Sequence, residues 1–194
     1  KNILQIEIEE SWYIYPIPFI TLKDRDWDKV SYGISVSILN FRGRNETLSG
    51  SAAFGYDPSF NFRYFNPNIS YNQNLNFQIS LGYSTSTNKS TEAESLYGAS
   101  FEQKIFTSRV QLGKRFGNYH WAYLKSGFDY IETPFYIEGV NASDNNIDKT
   151  LIVGASYVYD TRDLTLYAAN GIYAFFNYEF KGLGVDGINY QVAD

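Results

Sequence analysis

The sequence predicts an all-β protein whose antiparallel strands form a transmembrane β-barrel. Three observations support this prediction: alternation of apolar and polar residues along most of the chain, turn-forming residues between the alternating runs, and an apolar class rich in aromatics. The clearest run is Leu75–Tyr83, where apolar residues occupy every second position and Asn, Gln, Ser or Gly stands between them. A period of two places the two classes on opposite faces of a sheet.

Comparable runs predict about ten strands, most of them long enough to cross a bilayer when tilted. The other runs are Ser31–Ile38, Leu48–Tyr56, Phe60–Tyr64, Tyr97–Phe101, Val110–Phe116, Trp121–Ile131, Leu151–Tyr159 and Ile172–Phe180, and Ser11–Thr21 before them is predicted to be the first strand. Turn signals separate them at Arg44-Asn45, Asp57-Pro58, Asn66-Pro67-Asn68, Gly117-Asn118 and Asn170-Gly171. Two polar linkers, Ser84–Ser95 and Gly139–Lys149, are longer. Short turns alternating with longer loops are typical of an up-and-down barrel.

The composition of the two faces favours a membrane over water. A soluble sheet carries many charges on its polar face, whereas here that face is mostly Ser, Gly, Asn and Gln. Aromatics such as Trp12, Trp121 and Tyr159 lie near strand ends, as in the interfacial girdles of membrane barrels. We expect Leu75, Phe77, Ile79, Leu81 and Tyr83 to face lipid, and Asn76, Gln78 and Ser80 to face the lumen. On this pattern alone, a soluble β-sandwich with aromatic-rich faces stays open as the alternative.

The composition also argues against several kinds of active site. The 194 residues include no Cys and a single His, which excludes a thiolate nucleophile, a Cys-type zinc site and a His cluster. A net charge of −5 argues against a nucleic-acid binder, which needs a basic patch. No apolar run reaches the roughly 18 residues of a membrane-spanning helix. We predict that the chain is not an enzyme and has no metal or cofactor site.

Three groups of polar residues are candidate sites, and we interpret each of them as structural. His120 lies at a turn into a strand, with no nucleophile and acid beside it, and is predicted to be a rim or lumen residue. The segment Asp144–Asp148 offers oxygen ligands but lacks the Gly and the bidentate Glu of an EF-hand loop. Asp160, Arg162 and Asp163 follow an apolar run and are predicted to form an ion-pair network at the rim or interior.

Four motifs, in order along the chain, resemble the Omp85 superfamily, which includes BamA and surface antigen D15. The segment Glu7–Pro18 resembles the junction between the last POTRA domain and the first barrel strand. Asn40–Asn45 resembles the turn after the second strand, and Tyr64–Ile69 the turn after the fourth. Tyr159–Asp163, followed by Asn170-Gly171, resembles an Asp-x-Arg-Asp element between the ninth and tenth strands.

The resemblance implies a domain organisation. Residues 1–10 would be the end of a POTRA domain, and residues 11–194 the N-terminal part of an outer-membrane β-barrel, with about ten of the family's sixteen strands. We interpret the chain as a piece of a longer protein. The sheet should therefore be open, with Ser11–Thr21 and Ile172–Phe180 not neighbours.

The resemblance further implies a function in the bacterial outer membrane. It suggests a non-enzymatic factor like BamA that inserts barrel precursors through a lateral gate, with membrane lipid, unfolded outer-membrane proteins and accessory lipoproteins as partners. The gate strand would contain two ladder-breaking prolines, and its residues would be Trp12, Tyr13, Ile14, Tyr15, Pro16, Ile17 and Pro18. The alternative interpretation of the two prolines is that they only shape the junction between the POTRA domain and the barrel. The alternatives are a two-partner secretion or TamA-like transporter, a passive porin or adhesin barrel, and a soluble β-sandwich binding module.

Overall fold

A computed structural model describes residues 9, 11–87, 91, 95, 100–183 and 188–194. Its strands form one antiparallel sheet in sequence order, from β1 at one edge to β10 at the other. The strands are β1 (Ile14–Leu22), β2 (Val30–Phe41), β3 (Glu46–Gly55), β4 (Ser59–Ser70), β5 (Leu75–Thr87), β6 (Glu102–Phe116), β7 (His120–Glu132), β8 (Ile147–Asp160), β9 (Tyr173–Lys181) and β10 (Tyr190–Ala193). Short 3-10 turns at Lys23–Arg25, Trp27–Lys29 and Tyr71–Gln73 join neighbouring strands.

The predicted fold class is confirmed. Every strand pairs with its neighbours in the chain, as an up-and-down meander requires. Within the described residues the sheet is open, because β1 pairs only with β2 and β9 lies between β8 and β10. The expectation that Ser11–Thr21 and Ile172–Phe180 are not neighbours is therefore confirmed. A two-sheet sandwich is not the arrangement of this part of the chain.

The apolar face of the sheet is exposed and the polar face is covered, which is the reverse of what a soluble protein shows. On β8 the polar face is covered: Ser156 is 5% exposed and Ile152 2%, whereas Val153 and Tyr157 on the apolar face are 45% and 42% exposed. Cross-strand register extends this division over the sheet, since Ile79 is opposite Tyr64 on one side and Val110 on the other. A surface that exposes its apolar side and covers its polar side suits lipid outside and a lumen inside.

One predicted turn is wrong. Asn66-Pro67-Asn68 lies inside β4, and the chain turns later, at Tyr71–Gln73. The register between β4 and β5 shifts between Asn66 and Ser70, which is a bulge. Pro67 is tolerated there because a bulge leaves a residue unpaired, so no ladder donor is lost.

The predicted number of strands agrees with the structure, but one predicted strand is absent as a separate element and one observed strand was not predicted. Tyr97–Phe101 was expected to be a strand separate from Val110–Phe116. Tyr97 lies outside the described residues, Phe101 precedes the strand, and one 15-residue strand, β6, covers Glu102–Phe116. The pattern also missed β10, whose four residues Tyr190–Ala193 are too short to show alternation. Because Tyr97–Phe101 is not a separate strand, the Asp-x-Arg-Asp element lies between β8 and β9 and not, as expected, between the ninth and tenth strands.

The connection between β7 and β8 folds back as a compact loop. Phe101 and Ile137 are buried together, with Val140 packed against them. Asp148 fixes the base of the loop, because its carboxylate accepts hydrogen bonds from the amides of Ala142 (3.0 Å) and Ser143 (2.8 Å). The loop therefore has a defined shape at one rim of the sheet.

Candidate functional site

The first strand, predicted to be the gate, lies at an edge of the sheet. Along one side β1 pairs with β2 from Ile14 opposite Ile38 to Leu22 opposite Val30. Within the described residues no strand pairs with its other side. Pro16 and Pro18 lie inside this strand, opposite Val36 and Ile34. An edge strand is one of the few places in a sheet where prolines are tolerated.

The hydrogen-bond pattern shows which side of β1 the prolines affect. The amide of Leu39 donates to the carbonyl of Tyr13 (2.8 Å), so these residues form a hydrogen-bonded pair. Hydrogen-bonded positions recur at every second residue of an antiparallel pair. Odd-numbered residues of β1 therefore direct their backbone groups toward β2, and even-numbered residues toward the open edge. Pro16 and Pro18 thus remove donors from the open edge and leave the ladder to β2 complete.

From Ile14 to Ile20 the side chains of β1 are apolar or aromatic on both faces. Ile20 lies on the apolar face and is 69% exposed, while Ile17 lies on the opposite face and is 60% exposed. Phe19 packs where Gly33 has no side chain: a Cβ at Gly33 would lie 2.8 Å from Cζ of Phe19 and 2.1 Å from the carbonyl oxygen of Ala52. Before the strand, Trp12 donates through Nε1 to the carbonyl of Ile14, and its side chain is exposed.

The turn that follows β1 is held by charge pairs. Lys23 Nζ lies 2.5 Å from Oδ2 of Asp57, which joins the end of β1 to the β3–β4 turn. Lys29 Nζ lies 3.5 Å from a carboxylate oxygen of Asp24 and 3.4 Å from one of Asp26. These ion pairs fix one end of β1. Along its open edge the groups available for pairing are backbone N–H and C=O groups.

The polar face of the later strands carries ion pairs between neighbouring strands. Arg109 on β6 contacts both carboxylate oxygens of Asp129 on β7, at 2.5 and 2.8 Å. Lys125 on β7 donates to Asn177 on β9 (2.8 Å) and lies 3.7 Å from Glu179. Gly127 makes room for Arg109, because a Cβ there would lie 2.6 Å from its Cδ.

A second polar cluster surrounds the turn between β2 and β3, and sequence reasoning missed it. Glu46 is fully buried and accepts hydrogen bonds from Arg42 at 2.9 Å through Nε and 2.9 Å through Nη2, and from Asn66 at 3.0 Å. Arg42 also donates to the hydroxyl of Tyr64 (3.0 Å). The hydrogen bond to Glu46 raises the pKa of Arg42 above its ordinary value. The clue that the sequence offered was Glu46, a charged residue directly after the turn signal Arg44-Asn45.

His120, Asp160 and Arg162, three of the polar candidates, occupy structural positions. His120 begins β7, with Nδ1 2.6 Å from the hydroxyl of Tyr157 and its ring 4.9 Å from that of Tyr159, so it lies at the rim among aromatics. Arg162 binds both carboxylate oxygens of Asp160, at 2.9 and 2.8 Å, and stacks over Tyr173. The predicted pair between Asp160 and Arg162 is present.

Asp163 serves a different purpose from its neighbours. Its carboxylate accepts hydrogen bonds from the amides of Leu164 (2.8 Å) and Ala169 (3.0 Å), which close the β8–β9 loop on itself. Hydrogen bonds from the backbone amides of Asn170, Leu164 and Ala169 lower the pKa of Asp163 below its ordinary value. It is therefore a loop-closing residue.

The segment Asp144–Asp148 is organised around its own hydrogen bonds. Asp148 is engaged by the loop backbone, and Asn145 Oδ1 accepts from the amide of Ile147 (2.7 Å). Among the described residues, no group of three His, Cys, Asp or Glu side chains is arranged to hold a metal ion. In that same part of the chain, no helix is long and apolar enough to cross a bilayer.

The comparisons with known proteins bear on this arrangement. The Omp85 superfamily domain matches residues 40–193. The chain belongs to the Omp85 superfamily. Proteins of this superfamily are bacterial outer-membrane proteins. No curated protein matches the chain.

The solved structures show the same fold. The chain is similar to the crystal structure of BamA from Haemophilus ducreyi lacking POTRA domains 1-3, with a TM-score of 0.58 and 13% identity. The match covers 90% of this chain and 34% of that one, so the chain spans about a third of the solved structure's length. At this identity the likeness establishes the barrel fold and not the activity.

Proposed function

We propose that this Omp85 chain is the N-terminal part of an outer-membrane assembly factor that resembles BamA and inserts barrel proteins without catalysis. Residues 1–10 would end a POTRA domain and residues 11–194 would begin the barrel. The partners would be outer-membrane lipid, unfolded barrel proteins and accessory lipoproteins. This role accords with a superfamily that is generally non-enzymatic.

The open edge of β1 supports this role. An unpaired edge is a template on which another strand adds through its backbone. Between Ile14 and Ile20, the edge-facing residues are Pro16 and Pro18, which accept hydrogen bonds but cannot donate them. A seam closed on this stretch would lack two hydrogen bonds, each worth roughly 0.5–1.5 kcal/mol. The seam would therefore open more easily than the joints between other strands.

The surface of β1 suits a client strand at a membrane. From Ile14 to Ile20 its side chains are apolar or aromatic on both faces, so a strand added there needs no charged partner on either side. Trp12, Tyr13, Ile14, Tyr15, Pro16, Ile17 and Pro18 are the residues that we propose to contact clients.

A reversible disulfide tests the gate. Ile20→Cys in the full-length protein, paired with a Cys in its last barrel strand, should block insertion of other outer-membrane proteins when oxidised. Reduction should restore insertion. The measurement is the folded yield of a client barrel in vesicles that contain the assembly factor.

A matched control uses the same first cysteine. Ile20→Cys combined with Tyr32→Cys would join β1 to β2, because these residues are opposite each other in the sheet. Disulfides form across Cα separations of about 4.4–6.8 Å, which cross-strand neighbours satisfy. This lock should leave insertion intact. If the seam lock also left insertion intact, the gate would not lie at β1, and a TamA-like or secretion transporter would be favoured.

A further inference from the structure

The open edge of β1 is occupied at its N-terminal end by side chains of the same segment. Ile14 directs its backbone toward the open edge, and its carbonyl accepts a hydrogen bond from the indole Nε1 of Trp12. The carbonyl of Trp12 in turn accepts a hydrogen bond from the hydroxyl of Tyr15, at 2.7 Å. These two hydrogen bonds hold Trp12 against the end of the strand, with its indole on the side where a further strand would lie.

The other positions of the open edge differ in what they offer to an added strand. Pro16 and Pro18 present a carbonyl without an N–H group. Ile20 presents both groups, because every second residue of β1 directs its backbone to this side. Among the four edge-facing residues from Ile14 to Ile20, as the structure describes them, Ile20 alone offers a donor and an acceptor that are both free. The edge is therefore ready to pair at Ile20 and capped at Ile14.

The proposed membrane position of β1 explains why a cap is useful there. Inside a bilayer no water satisfies an unpaired backbone carbonyl, so an edge without a partner strand is costly. An indole suits this place because its ring is apolar and its N–H group is a donor. Trp12 therefore gives the carbonyl of Ile14 the hydrogen bond that a neighbouring strand would otherwise supply.

The cap is a contact that another donor replaces at little cost. A backbone N–H group of an added strand forms the same kind of bond to the carbonyl of Ile14, so the replacement exchanges one hydrogen bond for another. The side chain of Trp12 is 70% exposed, so packing does not lock it in place. A strand that first pairs at Ile20 would lengthen toward Ile14 and displace Trp12 last.

We propose that Trp12 is a displaceable cap on the open edge, so that a client strand begins to pair at Ile20 and reaches Ile14 only when the indole has been released. The inference rests on the proposed acceptance of client strands at β1. It adds to that function an order of pairing along the edge and the residue that sets this order.

Crosslinking at two positions of the edge tests the order of pairing. Ile14→Cys or Ile20→Cys is introduced into the full-length protein in lipid vesicles, and disulfide formation is timed with client barrel proteins that each carry one Cys in the terminal strand. Trp12→Phe keeps an apolar ring and removes the donor. It should raise the rate at position 14 about two- to tenfold, the factor that corresponds to one net hydrogen bond, and leave the rate at position 20 unchanged. Trp27→Phe is the matched control and should change neither rate.

A second measurement keeps Trp12 in place and does not depend on how well a variant folds. Nuclear magnetic resonance of isotope-labelled tryptophan follows solvent exchange at each indole N–H group. The indole of Trp12 should exchange about two- to tenfold more slowly than that of Trp27, again the factor of one hydrogen bond, since the side chain of Trp27 is 79% exposed. Attachment of a client through Ile20→Cys should raise exchange at Trp12 to the level of Trp27. Equal exchange at the two indoles without a client would overturn the cap.

The crosslinking outcomes separate the cap from the proposed function. Client crosslinks at position 20, with no change at position 14 in Trp12→Phe, would overturn the cap and leave acceptance of clients at β1 in place. Slower crosslinking at position 14 in Trp12→Phe would also overturn the cap, because Trp12 would then attract the client strand. Absence of client crosslinks at both positions in every variant would overturn the gate at β1, and the order of pairing with it.

Discussion

The edge at β1 and the wall formed by β6, β7 and β8 belong to one sheet but differ in the side-chain contacts that join them to their neighbours. The wall strands contain 15, 13 and 14 residues and pair along both sides, whereas β1 has 9 residues and, in the part of the chain that the structure describes, pairs along one. On the polar face the wall is joined across strands by Arg109 with Asp129 and by Lys125 with Asn177. The corresponding face of β1 carries Ile17 and Phe19.

The difference shows how one sheet can combine a stable scaffold with an exchangeable margin. Ion pairs between strands tie the wall through side chains as well as backbone. Within the described residues the edge is held by its ladder to β2, by a hydrogen bond from the hydroxyl of Thr21 to the carbonyl of Ser31 and by the Lys23–Asp57 pair at one end. On its open side two donors are missing. Stability is therefore concentrated away from the place where we propose that a new strand is accepted.

The largest expected effect sharpens the division between the two faces of the sheet, at β5 beside the wall. Ile79→Arg should cost about 2–4 kcal/mol if the residue lies near the bilayer midplane. Gln78→Glu, on the polar face, should be nearly neutral because Arg63 already donates to Gln78 (2.8 Å) and would pair with a carboxylate. Urea-dependent folding into phospholipid vesicles measures both. Equal losses would show that the apolar face does not contact lipid.

A smaller effect distinguishes the two sides of β1. Ile17→Pro should cost about 1–3 kcal/mol, because it removes a donor on the side that faces β2 and leaves an acceptor unpaired. Pro18→Ile should change stability by less than about 0.5 kcal/mol, since it adds a donor on the open side. The same unfolding measurement applies. A similar cost for both substitutions would mean that the hydrogen-bonding sides of β1 are assigned wrongly.

The smallest effect is local and depends on pH. The pKa of Asp163 is lowered in the folded protein, so its contribution to loop order is present above the ordinary value of 3.8 and is lost as the pH falls through the folded pKa. Asp163→Asn removes the charge at neutral pH and should have the same effect as acid: hydrogen exchange at the amides of Leu164 and Ala169 becomes faster. Amides in β8 should be unchanged and serve as the control. Unchanged exchange at both loop amides would remove the loop-closing role.

The alternation of residues was enough to predict the sheet, its antiparallel order and its two faces. Every second residue of Leu75–Tyr83 lies on the apolar face because nothing in that strand breaks the period. Strand ends were less predictable. Asn66-Pro67-Asn68 has the composition of a turn, yet the bulge beside it lets β4 continue, and a bulge leaves no mark in a single sequence.

The polar clusters were predictable only where both partners lie close in the chain. Asp160 and Arg162 are two residues apart, and their pairing was expected. Glu46 receives hydrogen bonds from Arg42 and from Asn66, which is 20 residues away on another strand. That contact depends on the register of β3 against β4, which alternation alone does not determine.

The missing donors of β1 also bear on self-recognition. Two copies that met edge to edge over Pro16 and Pro18 would place carbonyl oxygens opposite proline rings, where no N–H group can donate to them. Such a dimer would gain no hydrogen bonds over this stretch and would press the proline rings against the carbonyl oxygens. A strand of ordinary composition would supply its own N–H groups to the carbonyl oxygens of Pro16 and Pro18. The prolines therefore disfavour pairing of this edge with a copy of itself.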